Sequence, residues 1–393
     1  MVDCAEGTYR QFQFQPFGQP YAKAAKVAKI FITHMHADHI MGIVPFLRNV
    51  LYPPPAGSKP STSNLRASPR VEIYGPAGIR TFVRQNLKMT LTCTAETYVV
   101  HELLTANDPI TPCDLPADPT NPKSGLNISE MNVLHACEVI GRDIMADADG
   151  LWRGIATGKG VLSNIIVDAG PIHHRDPCLG YVFTEVSQPN RKLVILGDTY
   201  DASGIEPLCI NPSPSLLIHE ATDAHIPRGA DPTGKASKRT KDEVKEKVLL
   251  RGHSTPDMAG SFAKKISAER LVLNHISGRF PTPRNPRDAR SAIIREIEKQ
   301  ASKAWGSQQH AIAAYDFLRI TIPASDPPVD IPTTAAVDIQ AFQESVDFET
   351  TSGGQTRRIH TESMSLKHAN PDEGFMYASG NWDNNNRGRK RRR

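Results

Sequence analysis

The stretch FITHMHADHI, residues 31–40, constrains this 393-residue chain more than any other part of it. His34, His36, Asp38 and His39 stand within six positions, directly behind the apolar run VAKIFIT at 27–33. That run is short and rich in Val and Ile, and it reads as a buried strand. Imidazoles and a carboxylate crowded at a strand end desolvate poorly together unless a cation compensates them. The spacing H-x-H-x-D-H suits a two-metal centre: two alternating histidines serve one ion, and the following Asp and His serve a second. Two divalent ions roughly 3.5–4 Å apart generate a nucleophilic hydroxide at neutral pH. Such a centre needs ligands from elsewhere, and other strand ends offer His174, Asp198 and His275. His173 adjoins His174, and the residues alone do not say which is the bystander. Asp198 stands in LGDT, which also makes an ordinary turn. His101, His310 and His360 stand alone and are expected to be inert.

The rest of the chain supplies a scaffold for that rim. Strand-like segments RVEIYG (70–75), KLVILGD (192–198), SLLIHEA (215–221) and RLVLNHI (270–276) are short, aliphatic and bounded by turn residues. Helical periodicity falls between them at 76–88 and 256–268; the second opens on Pro256 behind Ser254 and Thr255, with Thr255 a candidate cap. Strands alternating with helices predict α/β layers. Two segments break the pattern: the Pro/Ser-rich 53–69, and the charged 228–247 with an exposed helix at its end. Residues 323–393 carry too little apolar surface to order themselves and are expected to be a disordered tail.

Composition narrows the setting. No apolar run approaches the roughly 18 residues a membrane span requires, and mean hydropathy is −0.38. The N-terminal residues resemble neither a secretory signal nor a transit peptide. The six cysteines are scattered without a CxxC, as reduced intracellular thiols are. The net charge is +4, yet the final RGRKRRR (387–393) alone carries six positive charges, so the remainder is slightly acidic. That basic end reads as a nuclear address, an RNA-binding arm or a solubilising tail.

FITHMHADHIMGI resembles the signature of the metallo-β-lactamase superfamily, and the later motifs resemble those of one family within it, ribonuclease Z. PIHHRDPCLGYVF (171–183), VILGDT (194–199), LLIHEAT (216–222), HST (253–255), LNHISGRF (273–280) and AYDF (314–317) follow in the family's order, and VDCAEGTYRQ (2–11) resembles its D-C-G-E-G-T with Ala5 for a glycine. The resemblance covers about residues 2–322 and selects His174, which stands six residues before the Gly-Tyr pair, over His173. It implies an α/β fold, the αββα sandwich, over residues 1–322. It implies two zinc ions, with manganese or another divalent metal able to substitute. His34, His36 and His174 would hold one, Asp38, His39 and His275 the other, and Asp198 would bridge. Asp38 would orient or deprotonate the attacking water. His253 would protonate the leaving 3′-oxygen with Glu220 orienting it, while His219, on the opposite face by strand alternation, is expected in the core or behind the ligands. The substrate implied is a tRNA precursor losing its 3′ trailer, and family members commonly form homodimers.

Two departures from the family stand out. The strands that precede D-C-x-E-G-T in the family are missing here, and no long Gly/Pro-rich arm separates His174 from Asp198. The basic residues Lys235, Lys238, Arg239 and Lys241 are candidates to grip RNA in the arm's place. The departures keep two alternatives in view: a phosphodiesterase of the same fold acting on small or cyclic esters, and a non-catalytic RNA-binding relative. Nucleus, cytoplasm and mitochondrion all remain compatible locations.

Overall fold

The structure, a computed structural model, describes residues 1–16, 22–52, 68–118, 124–160, 163–187, 190–280, 282–285 and 287–323. The expected tail and most of the Pro/Ser-rich segment, residues 53–67, lie outside them. Two sheets stack face to face with helices outside each. The first sheet is parallel throughout: β1 (Lys29–Phe31), β2 (Val71–Pro76) and β3 (Tyr98–Leu104) lie side by side, and β3 also pairs with the short β4 (Glu138–Val139) and β5 (Asp143–Met145). The second sheet has seven strands, running in space from β12 (Ile312–Ala313) through β11 (Leu271–Asn274), β10 (Leu216–Glu220), β9 (Lys192–Leu196), β8 (Cys178–Glu185) and β7 (Asn164–Ile172) to β6 (Trp152–Lys159). Strands β9 to β12 are parallel, whereas β6 to β9 form an antiparallel meander.

Strand alternation explains the layering. Ile30 and Ile32 point outward and pack with α1 (Thr8–Gln13), α3 (Ile43–Val50) and α4 (Ile79–Met89) around Phe46, Leu47 and Val83. Phe31, between them, points inward and meets Tyr74, Trp152 and Tyr181 from both sheets. Its ring stacks on Tyr74 at 5.2 Å and tilts against Tyr181 at 5.3 Å. Burying each such aromatic contributes about 1.5–3 kcal/mol, so one strand face fastens the two sheets together. The helix α2 (Ala37–Ile40) follows β1 as a single turn. On the far side of the second sheet, α5 (Glu206–Cys209), α6 (Lys241–Leu250), α7 (Pro256–Lys265) and α8 (Ser291–Trp305) follow in chain order, and α7 and α8 pack on the sheet through Ala259, Phe262, Ile293 and Ile297.

The αββα arrangement matches the expectation, and the sequence strands at 70–75, 192–198, 215–221 and 270–276 fall on β2, β9, β10 and β11. The meander β6–β8 was missed. β6 mixes exposed Arg, Gly, Thr and Lys with buried positions and β7 opens on exposed residues, so no clean apolar run announces them, whereas β8 is largely buried. The 228–247 segment is a built element: Thr240 and Glu243 form a reciprocal capping box at the start of α6, and Arg239 holds Asp223 with two bonds of 2.6 and 2.8 Å. Thr255 precedes α7, but its side chain makes no capping bond. All six cysteines are free, and among the described residues no helix is long and apolar enough to cross a membrane.

One helix carries an unusual load. Arg80, Arg84 and Lys88 recur every fourth residue along α4 and are all buried, beside the apolar stripe Ile79, Val83 and Leu87. Arg84 makes paired bonds of 2.8 and 2.9 Å to Glu138 and also donates to the Pro112 carbonyl, while Lys88 donates to those of Glu130 and Val133. These cations pin the long excursion between β3 and β5. Arg84→Met should therefore destabilise by about 3–5 kcal/mol, because Glu138 is left buried and unpaired. Urea unfolding measures it, and a loss below about 1 kcal/mol would mean the excursion holds without the pair.

Candidate metal centre

The site forms where parallel strands of both sheets end at one edge. β1 delivers His34 and His36, then turns into α2 with Asp38 and His39. β9 delivers Asp198, β10 delivers Glu220, and β11 delivers His275, whose backbone sits in the left-handed region at φ 52. His174 stands between β7 and β8, and His253 between α6 and α7. The two sheets meet directly here: the Leu179 amide donates to the Thr33 carbonyl at 2.9 Å and the Tyr181 hydroxyl to that of Ile32 at 2.7 Å. Gly197 permits this approach, since a Cβ there would lie 2.6 Å from both Thr33 and Cys178. The Gly-Asp of LGDT is thus a packing requirement followed by a candidate ligand position, not a bare turn.

All seven predicted ligands converge. His34, His36, His174 and Asp198 form one group whose donor atoms lie within 4.8 Å of one another, and Asp38, His39 and His275 form a second under the same limit. Asp198 stands between them: its oxygens lie 3.8 Å from His34 Nε2, 3.6 Å from His39 Nε2 and 3.4 Å from His275 Nε2. Those separations are too long for hydrogen bonds. The His275 separation matches the spacing of about 3.3–3.5 Å between ligands that share a tetrahedral ion at bonds near 2.0–2.1 Å, and the other two slightly exceed it. His173 stays outside, its amide bonded to the Asp201 carbonyl at 2.8 Å. His101 is buried away from the site and accepts from the Arg142 amide. His219 faces the core beside Phe262.

Each of the five imidazoles has its outer nitrogen engaged. His34 Nδ1 meets the Thr33 hydroxyl at 3.0 Å, His36 Nε2 the Asp176 carboxylate at 2.7 Å, and His39 Nδ1 the Asp3 carboxylate at 2.7 Å. His174 Nδ1 donates to the Gly252 carbonyl at 2.6 Å, and His275 Nδ1 meets the Thr222 hydroxyl at 2.7 Å. Gly252 is obligatory on two counts, with φ +78 and a Cβ position only 2.7 Å from the His174 ring. One nitrogen per ring is left facing the centre, and those of His39 and His174 are buried without any hydrogen-bond partner among the described residues. A buried imidazole nitrogen left unpaired is costly, and a cation in the middle would satisfy every one. The residues therefore fit a metal.

Electrostatics agree. Burial, with the neighbouring His39, pushes His34 down to about 3, and burial also lowers His174, so both stay neutral, as ligands must be. Burial opposes the charge on Asp198, but His39 and the surrounding imidazoles hold its carboxyl well below the usual range. His39 stands apart: burial works against its imidazolium, yet Asp198 and Asp3 raise it to about 10, so without a cation it holds a proton that must leave before Nε2 can ligate.

A second cluster abuts the first. Glu220, 1% exposed, accepts from the Thr199 amide at 2.7 Å, the Ser254 amide at 3.1 Å and the Thr222 hydroxyl, and its Oε1 meets His253 Nδ1 at 3.0 Å. It both ties three loops together and orients His253. Burial disfavours the imidazolium, but Glu220 and then Asp198 carry the His253 pKa above its ordinary value. His253 Nδ1 lies 3.7 Å from Asp198.

Sequence reasoning missed the outer partners Asp3, Thr33, Asp176 and Thr222. Asp3 lies inside VDCAEGT and Thr222 inside HEAT, but their targets are tens of residues away or more, so no local spacing reveals them. Asp3 also accepts from the Thr33 amide and hydroxyl at 2.8 and 2.9 Å, fixing the β1 end. Asp3→Asn should lower metal affinity roughly 10–100-fold while leaving the fold intact, as competition with a chromogenic chelator would measure. Wild-type affinity would remove Asp3 from the centre.

This architecture and this donor set define a metal-dependent hydrolase of the metallo-β-lactamase fold. Within that class the chain is a relative of ribonuclease Z. No family model matches it, but human zinc phosphodiesterase ELAC protein 1 is 28% identical over 372 residues, covering 82% of this chain and 90% of the relative. Ribonuclease Z of Bacillus subtilis strain 168 is 26% identical over 336 residues, covering 82% and 88%. A crystal structure of human tRNase Z, short form, superposes with a TM-score of 0.51 at 28% identity, covering 82% of this chain and 87% of that one.

Proposed function

We propose that residues 1–322 form a zinc-dependent endoribonuclease that removes 3′ trailers from tRNA precursors, leaving a tRNA 3′-hydroxyl. The observation that carries the chemistry is the ring of five imidazoles, each anchored outside and open inside, around buried Asp198. In this reading two zinc ions are held, one by His34, His36 and His174 and the other by Asp38, His39 and His275, with Asp198 shared. When bound, the metal supplies a nucleophile at neutral pH and neutralises charge on the phosphate.

The chain's own groups move the protons. Asp38, 63% exposed and 3.4 Å from His275, is placed at the open side to orient the attacking water and take its proton. Its carboxylate stays ionised because His39 and His275 outweigh the burial that opposes it. His253, held by Glu220 and kept protonated, gives a proton to the leaving 3′-oxygen. The tRNA substrate rests on the relatives named ribonuclease Z and tRNase Z. Homodimer formation and, from the basic run at 387–393, a nuclear location belong to the same reading; sedimentation and a tagged chain with that run deleted test them.

The deciding experiment is cleavage of a 3′-extended tRNA precursor, with the cut mapped and an aryl phosphodiester run in parallel. A single cut at the base of the trailer, lost in Asp38→Ala, is the expected result. Turnover of the aryl ester with the precursor untouched would overturn the tRNA assignment and favour a small-ester phosphodiesterase.

A further inference from the structure

The function above leaves one cavity unused. It lies against His253 and is lined in part by Thr222, Asp223, Lys247, Arg251 and Arg279, with a volume of about 70 Å³. At the 10–15 Å³ that one water needs, this is room for roughly five heavy atoms. That is the bulk of one phosphate group and less than a nucleobase.

Its charge is matched to such a group. Lys247 and Arg251, from the last turn and end of α6, are exposed and have no ion-pair partner among the described residues. Asp223, the one acid in the wall, is buried and neutralised: Arg239 grips it at 2.6 and 2.8 Å, and Arg279 donates to it from the other side. Three cations therefore line the cavity; Asp223 is already shared by two guanidinium groups, and Glu243, one turn earlier on α6, offsets Lys247 only in part. This also gives the charged 228–247 segment a task. Arg239 does not reach outward for RNA; it braces Asp223, which braces Arg279.

We propose that this cavity is a phosphate subsite for single-stranded RNA. It takes the phosphate 5′ of the nucleotide whose 3′-oxygen leaves. The polarity follows from His253. A residue that protonates the leaving 3′-oxygen faces the nucleotide that keeps it, so the cavity that His253 lines is assigned to the retained strand, not to the trailer. The identity of the phosphate rests on the endoribonuclease reading above; the affinity of the cavity for RNA phosphate does not.

The test uses zinc-loaded full-length protein and the double variant Lys247→Ala/Arg251→Ala, both surface positions outside the metal centre. Precursors carry a single neutral methylphosphonate, either 5′ of the nucleotide at the cut or one position into the trailer. In the wild type, the first should raise KM about tenfold, the loss of one charge-assisted contact. In the double variant KM should already be raised about tenfold and the first methylphosphonate should add little, while the trailer position affects both proteins alike. Turnover of the aryl diester should be unchanged. A second arm measures binding of a precursor whose scissile phosphate is a methylphosphonate, across salt. The double variant should bind more weakly, with a salt slope shallower by roughly 0.7 per lost contact. Equal binding and slope in the two proteins would overturn the subsite whether or not RNA is cut. Failure of the wild type to cut any precursor while hydrolysing the aryl diester would overturn the endoribonuclease reading instead, leaving the subsite to stand or fall on the binding arm.

Discussion

Asp198→Ala is expected to abolish metal retention and to slow phosphodiester hydrolysis on the order of a thousandfold or more, the scale on which a single preorganised transition-state partner acts. It is the carboxylate placed between the two groups: its oxygens lie within 3.4–3.8 Å of His34, His39 and His275. Removing it takes away the only buried negative charge among the seven converging residues, since Asp38 is largely exposed. What remains is five imidazoles and the exposed Asp38, with no buried carboxylate to fix an ion's position or lower its charge. Metal content after gel filtration and the rate on an aryl phosphodiester together check this. A variant holding the full wild-type metal complement and turning over at a similar rate would show that Asp198 does not sit between two ions. Chelation of the wild type should reproduce the loss, with recovery on adding zinc.

His253→Ala should behave differently, and the contrast is diagnostic. It should lower precursor cleavage by about 10²–10⁴-fold, the usual contribution of a positioned acid, yet leave metal content and turnover of a nitrophenyl diester near wild type. The reason is the leaving group. A ribose 3′-alkoxide needs a proton as its bond to phosphorus breaks, whereas a nitrophenolate departs without one. Glu220→Gln should act through the same residue. Glu220 and Asp198 raise the His253 pKa against its burial. Removing the Glu220 charge lowers it, so the alkaline limb of the pH profile, where His253 loses its proton, should move to lower pH. Equal losses on both substrates in His253→Ala would instead assign that histidine to the metal or to folding.

The candidate ligands were readable in the sequence because they cluster at strand ends, where period-2 alternation stops and side chains can converge. H-x-H-x-D-H is local and dense enough to announce itself, and the motif order placed His174, Asp198 and His275 beside it. The layering was readable for the same reason at the parallel strands, whose aliphatic runs are continuous because both faces are covered. It failed at β6 and β7, where exposed residues interrupt the apolar pattern.

What only the tertiary structure decided is the set of partners that hold the ligands. Asp3 reaches His39 across 36 positions, Thr222 reaches His275 across 53, and Gly252 reaches His174 across 78. Arg239, which looked from its neighbours like a surface cation available to RNA, turned out to be spent on a buried carboxylate 16 residues earlier. A hydrogen-bond donor and its acceptor leave no trace in each other's local sequence, so periodicity and spacing are silent about them. Residue types and their order along the chain determined that this protein carries a candidate metal-ligand set at the mouth of an α/β sandwich. Which nitrogen of each histidine faces inward, and which cations remain free to meet a polyanion, depended on packing two sheets face to face.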